Sequence, residues 1–128
     1  MAPDSASSGA LEYRNVILAI VLFALAAVGG LIMAIMRFRG REQPPLALAI
    51  VHGLAAAAGL VALIAVIAGG SAPGAATLGL VLMLAAALGG FVLFGNHLKN
   101  IPLPIPLMVI HALVAVAGFA TLLVALSG

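Results

Sequence analysis

Two histidines, His52 and His111, lie inside long apolar runs, each seven residues after a proline, Pro45 and Pro104. Imidazole can ligate a metal, carry a proton or donate a hydrogen bond, and an ionisable side chain within an apolar helix is a functional-site candidate by default. Setting His52 on His111 also pairs Pro45 with Pro104, Leu48 with Leu107, Ala56 with Ala115, Gly59 with Gly118 and Leu63 with Leu122. Those positions recur at spacings of three and four, which trace one stripe along a helix. Off the stripe most positions differ, Leu54/Leu113 and Ala58/Ala117 being exceptions. The shared stripe is therefore expected to face inward, carrying one histidine in each half.

The elements that position these residues are membrane spans. Of 128 residues, 66% are hydrophobic and 6% charged, more apolar surface than a soluble domain of this length can bury. Four runs are long enough to cross a bilayer, which takes about 20 apolar residues per helix. They are expected at Asn15–Met36, Leu46–Ile67, Ala75–Gly95 and Ile105–Leu126, joined by the short loops Arg37–Pro45, Ala68–Pro73 and Asn96–Pro104. Short connections return each helix beside its predecessor, so the expected fold is an all-α, integral membrane four-helix up-down-up-down bundle. Residues 1–14 read as a flexible N-terminal tail rather than a secretory signal, and 15–128 as a single four-helix domain. Pro44, Pro45, Pro102, Pro104 and Pro106 gather at the starts of the second and fourth helices, where a missing N–H costs least.

Charge sets the expected orientation. Arg37, Arg39, Arg41 and Lys99 lie on one side and only Arg14 on the other, which puts both termini outside and the basic loops in the cytoplasm. The expected location is a bacterial inner membrane. A net charge of +2 offers no nucleic-acid surface, and the absence of cysteine excludes disulfide and thiolate chemistry. No nucleophile–base pair, P-loop or dinucleotide fingerprint occurs.

The halves repeat. With Gly29–Gly30 set on Gly89–Gly90, Val21–Leu22 pairs with Val81–Leu82, Ala26–Ala27 with Ala86–Ala87, and Arg39 with Lys99. Two-helix units at about 15–69 and 75–128 would then enter the membrane in the same direction, related by an axis along its normal. The second and fourth helices become diagonal neighbours, about 11–14 Å apart when adjacent helices pack roughly 8–10 Å apart. At 1.5 Å per residue each histidine lies roughly 10 Å inside its helix, and the four glycines fall at about the same level. Gly59 and Gly118 lie two turns deeper on the stripe. One layer thus holds two imidazoles facing each other and four residues without side chains, which leaves room for a flat ligand.

In this respect the chain resembles membrane b-type cytochromes, which hold heme between transmembrane helices with paired histidines and glycine-lined contacts. The resemblance is to that design and covers the histidine layer. It implies one heme b with His52 and His111 as axial ligands and metal-binding residues, a layer cleared by Gly29, Gly30, Gly89 and Gly90, and further cofactor-binding positions at Gly59 and Gly118. The heme propionates would point to Arg37, Arg39, His97 and Lys99, since basic groups pair with carboxylates. Two axial imidazoles fill the iron's open positions, so the implied role is one-electron transfer with quinone or a partner protein in a membrane complex, rather than stand-alone catalysis.

The same residues admit other readings. Glycine pairs commonly let membrane helices pack closely, and intramembrane histidines can simply hydrogen-bond across helices. The chain would then be a structural or assembly subunit without a cofactor, meeting other subunits, a second copy of itself and the lipid bilayer. Another tetrapyrrole is an alternative to heme b. So is copper, because Met108 lies one turn from His111 and imidazole with thioether suits that metal. A transporter is the weakest reading, since Asp4, Glu12 and Glu42 all lie outside the apolar runs.

Overall fold

The computed structural model describes residues 5–70 and 72–127. Helix α1 spans Ser5–Phe38, α2 Leu46–Ala68, α3 Gly74–Leu98 and α4 Ile105–Ser127. All four are long and apolar enough to cross a membrane. Every helix carries exposed leucine and valine on its outer face, joined by isoleucine or phenylalanine, consistent with contact with a lipid bilayer.

One expectation is corrected at the start of the chain. Residues 1–4 lie outside the described residues, but the rest of the expected tail, from Ser5 on, is the beginning of α1. Ala, Leu, Glu and Arg there are good helix formers, and extending a stable helix requires no new nucleus. The single Gly9 costs only about 1 kcal/mol against that gain. At 34 residues α1 is about 51 Å long, well beyond a bilayer core of roughly 30 Å.

The helix ends follow local chemistry. After α1 the chain turns through Gly40 at φ 95°, with Arg41 N–H donating to Met36 O at 3.1 Å. After α3 the same closure uses Asn100 at φ 55°, with Ile101 N–H donating to Asn96 O at 2.9 Å. A left-handed residue past the last turn meets the orphan carbonyls, and glycine and asparagine adopt that conformation most readily. Pro45 and Pro73 precede α2 and α3 with φ −57°, already suited to a helix start. Pro106 is the second residue of α4, inside the first turn, where its missing N–H breaks no helical bond.

Helix α1 packs chiefly against α2, and α3 chiefly against α4. Smaller contacts join α2 to α3 and α1 to α4, whereas neither α1 and α3 nor α2 and α4 form a packed pair among the described residues. The fold is therefore two tight hairpins leaning on each other. At one end they share a core of Ala19, Phe23, Leu63, Ala76, Met83, Leu122 and Ala125. Glycines allow the close approach there: a Cβ on Gly59 would meet the Phe23 ring at 2.9 Å, and one on Gly79 would meet Leu122 Cδ2 at 2.5 Å. At the opposite end lies a smaller cluster of Leu93, Leu103 and Met108.

Substituting these glycines by alanine should separate packing from propensity. Gly79→Ala is expected to lower stability in detergent by roughly 1–3 kcal/mol, because an added methyl must displace Leu122. Gly9→Ala meets nothing within 4 Å and should raise stability by up to about 1 kcal/mol. Thermal unfolding followed by circular dichroism measures both, and a neutral Gly79→Ala would contradict the packing described.

Candidate functional site

His52 projects from α2 onto α1, where its Nδ1 lies 2.7 Å from Ala26 O. His111 projects from α4 onto α3, with Nδ1 2.7 Å from Ala86 O. A carbonyl oxygen can only accept, so each Nδ1 carries the proton and donates it. That assigns the tautomer and leaves each Nε2 with a free lone pair. Metal-ligating histidines are usually held this way, their second nitrogen giving its N–H to a carbonyl or carboxylate.

The paired glycines form the bed on which each ring rests. A Cβ on Gly30 would stand 3.1 Å from His52 Cε1, and one on Gly29 3.5 Å from His52 Cβ. The other hairpin matches: a Cβ on Gly90 would stand 3.2 Å from His111 Cε1, and one on Gly89 3.6 Å from His111 Cβ. The space these four residues leave is occupied first by imidazole. Of the four, Gly30 and Gly90 also line the cavity described next.

The two rings meet across the boundary between hairpins, their centres 6.2 Å apart and their planes crossed at 73°. Both line a central cavity of about 680 Å³ walled by residues from all four helices. Its walls are almost wholly apolar, with Phe23 and Phe119 towards one end and Pro44, Leu103 and Met108 towards the other. Among the described residues no Arg, Lys, Asp or Glu lines it. A metal shared by two opposed imidazoles lies about 2 Å from each nitrogen, which sets the ring centres roughly 6 Å apart. The observed spacing suits a shared ion.

Other candidate residues fall elsewhere. Gly59 and Gly118 face Phe23 and the Leu82–Met83 pair, so their place is helix packing, outside the cavity wall. Arg37, half buried in the last turn of α1, donates from Nε to Leu103 O at 2.9 Å and from Nη1 to Arg41 O at 3.5 Å. His97 is buried in the last turn of α3, only 8% exposed, and lies off the cavity wall. Arg39, Arg41 and Lys99 are exposed at the same end. The structure brings together His52, His111, Gly30 and Gly90, and leaves the basic residues at the rim.

Sequence reasoning missed the two carbonyl acceptors, although Ala26–Ala27 and Ala86–Ala87 were among the matched positions. It also missed Gln43, whose side chain donates to Ile101 O at 3.1 Å, and the bond from Leu103 N–H to Glu42 O at 3.2 Å. A loop-to-loop bond carries no periodic signal. Among the described residues no three His, Asp or Glu side chains gather as a metal-binding group. Compared with protein-family models, curated proteins and solved structures, the chain finds no match.

Nitrogen-15 NMR of labelled histidine should show both His52 and His111 as the Nδ1–H tautomer in protein free of any bound group. In Gly30→Leu the larger side chain must displace the His52 ring, and that resonance alone should lose the signature while His111 keeps it. An unchanged His52 tautomer in this variant would show that the ring does not depend on the glycine bed.

Proposed function

We propose that this chain is a small membrane b-type cytochrome that holds one heme b between its two hairpins. The observation that carries the reading is the histidine pair. Each ring gives its Nδ1–H to a helix carbonyl, each keeps Nε2 free, and the two centres stand 6.2 Å apart on one cavity. The donor set favours a tetrapyrrole over a bare ion, since two imidazoles alone leave half or more of the positions of a four- or six-coordinate metal unfilled. A porphyrin would bring four nitrogens of its own to the iron, and His52 and His111 would complete the set.

When bound, heme supplies an iron centre that accepts and returns one electron. His52 and His111 would hold it, and their bonds to Ala26 O and Ala86 O orient the rings and raise their basicity. With both histidines holding it, the group would serve electron transfer rather than oxygen binding. The apolar walls around Phe23, Phe119 and Met108 exclude water from the centre. Of the basic residues expected to meet the propionates, Arg39 and Lys99 are exposed at the rim, while Arg37 is engaged with loop carbonyls and His97 is enclosed within α3.

The wider reading is part of the same proposal. The helices run up-down-up-down as a tandem two-helix repeat, supported by the recurrence of one histidine–carbonyl bond in each hairpin. The basic loops face the cytoplasm of a bacterial inner membrane, with both termini outside. Electrons pass singly to or from quinone or a partner protein within the membrane. The competing reading is an assembly subunit with no cofactor, favoured by the close glycine packing around Phe23 and Leu122.

Purification with an adequate heme supply tests the proposal. The protein should show a six-coordinate low-spin absorption spectrum, lost in His52→Ala and equally in His111→Ala. A colourless, metal-free protein that tolerates both substitutions would leave the assembly reading. Stoichiometric copper dependent on both histidines would replace heme with a two-coordinate copper site.

A further inference from the structure

The two hairpins are fastened at the loop end by a clasp of three hydrogen bonds. Arg37 Nε donates to Leu103 O at 2.9 Å, Leu103 N–H donates to Glu42 O at 3.2 Å, and Gln43 Nε2 donates to Ile101 O at 3.1 Å. Each bond joins the first hairpin to the loop of the second. The clasp also enters the cavity: Pro44 and Leu103 are buried and form part of its wall.

The clasp is connected to the histidines through rigid elements. Helix α2 begins at Leu46, just past Glu42, Gln43 and Pro44, and carries His52 less than two turns in. Helix α4 begins at Ile105, just past Ile101 and Leu103, and carries His111 at the matching place. Between the clasp and the far core the cavity separates the hairpins at the histidine layer, with side-chain contact between them at its two ends, where Ala34 packs on Leu93, Leu103 and Met108 and where the Phe23 and Phe119 rings meet edge to face. Each histidine is held to its own hairpin by its own carbonyl bond. Whatever sets hairpin against hairpin therefore sets imidazole against imidazole.

We propose that Arg37 is a positioning residue that fixes the spacing and crossed orientation of His52 and His111 by fastening the end of α1 to Leu103. Its guanidinium is the charged member of the clasp, and it also reaches Arg41 O at 3.5 Å, so one side chain ties both loops. Hydrogen bonds from a charged donor are roughly twice as strong as neutral ones, which makes Arg37 the dominant member over Gln43. Lysine at this position could supply one such bond but not a planar fork.

The inference rests on the heme reading only for its second readout. The first uses full-length protein with no group bound. The chain has no native cysteine, so Val51→Cys and Ile110→Cys, each one residue before its histidine and exposed, can carry a clean pair of spin labels. The Arg37-containing protein should give one narrow distance distribution. Arg37→Leu should broaden and lengthen it, Arg37→Lys should restore it in part, and Gln43→Ala should have a smaller effect than Arg37→Leu. Should Arg37→Leu fail to fold, the lysine and Gln43 variants carry the comparison in the same order.

In heme-loaded protein, Arg37→Leu should weaken heme binding roughly tenfold to a hundredfold, the usual cost of losing an outer support for a metal ligand. Crossed imidazole planes give low-spin ferric iron a larger maximum g value than parallel planes do. Arg37→Leu should replace that single resonance with a spread of smaller values, and Arg37→Lys should recover part of it. A folded Arg37→Leu protein with an unchanged label distance would overturn the proposal, whatever its heme content. A protein that binds no heme yet shows the broadened distance would sink the cytochrome reading and leave the clasp intact.

Discussion

An imidazole placed among helices and hydrocarbon has no water to receive its N–H, and an unsatisfied polar group in that setting costs several kcal/mol. The acceptors the two rings meet are carbonyls of the neighbouring helix. Each of these already accepts a helical bond but keeps a second lone pair. A ring can approach that backbone only where no side chain intervenes. This requirement connects His52 to Ala26 O and to Gly29 and Gly30, and it connects His111 to Ala86 O and to Gly89 and Gly90. The same bond holds α2 tightly to α1 and α4 tightly to α3. It also fixes which nitrogen is protonated, so the free lone pairs belong to Nε2 on both rings.

Because each histidine is satisfied within its own hairpin, the boundary between hairpins is free of that duty. Among the described residues the hairpins pack most closely at the ends. At one end Phe23, Leu63, Met83 and Leu122 interlock, helped by Gly59, Gly79 and Gly118, where backbones come close. At the other, polar loop groups join across the gap and Ala34 packs on Leu93, Leu103 and Met108. The middle remains a cavity of about 680 Å³ with an imidazole on each side. Protein interiors are ordinarily filled to crystal-like density, with few voids larger than a water molecule. A space of this size at the layer of the two imidazoles is the physical ground for proposing a resident group there.

Much of this was legible along the chain. The apolar runs gave three of the four helices to within a few residues, and the matched stripe led to His52, His111 and the glycine pairs. Three features were not legible. The start of α1 at Ser5 escaped because the polar residues 5–14 carry no apolar signal, whereas their helicity is propagated from the span that follows. Gly59 and Gly118 shared the histidine stripe, yet a straight helix does not keep one neighbour along its whole length, and two turns deeper that stripe meets Phe23 and Met83. Arg37 read as a rim cation that sets topology and would meet the propionates, whereas its engagement with Leu103 O joins residues 66 positions apart.

By itself, then, the sequence determined what depends on composition and local period: four apolar helices, their breaks at proline and glycine, and the depth at which each histidine lies. Those follow from hydrophobicity, backbone freedom and 3.6-residue geometry, all of which act over a few neighbouring positions. The tertiary structure alone decided which carbonyl each Nδ1 reaches, that the glycines receive imidazole, that the rings cross at 73°, and that the basic end is latched through Arg37. Each of those depends on how one helix is rotated and spaced against another. That relation is set by the sum of side-chain contacts across the whole interface, and no local window of the chain contains it.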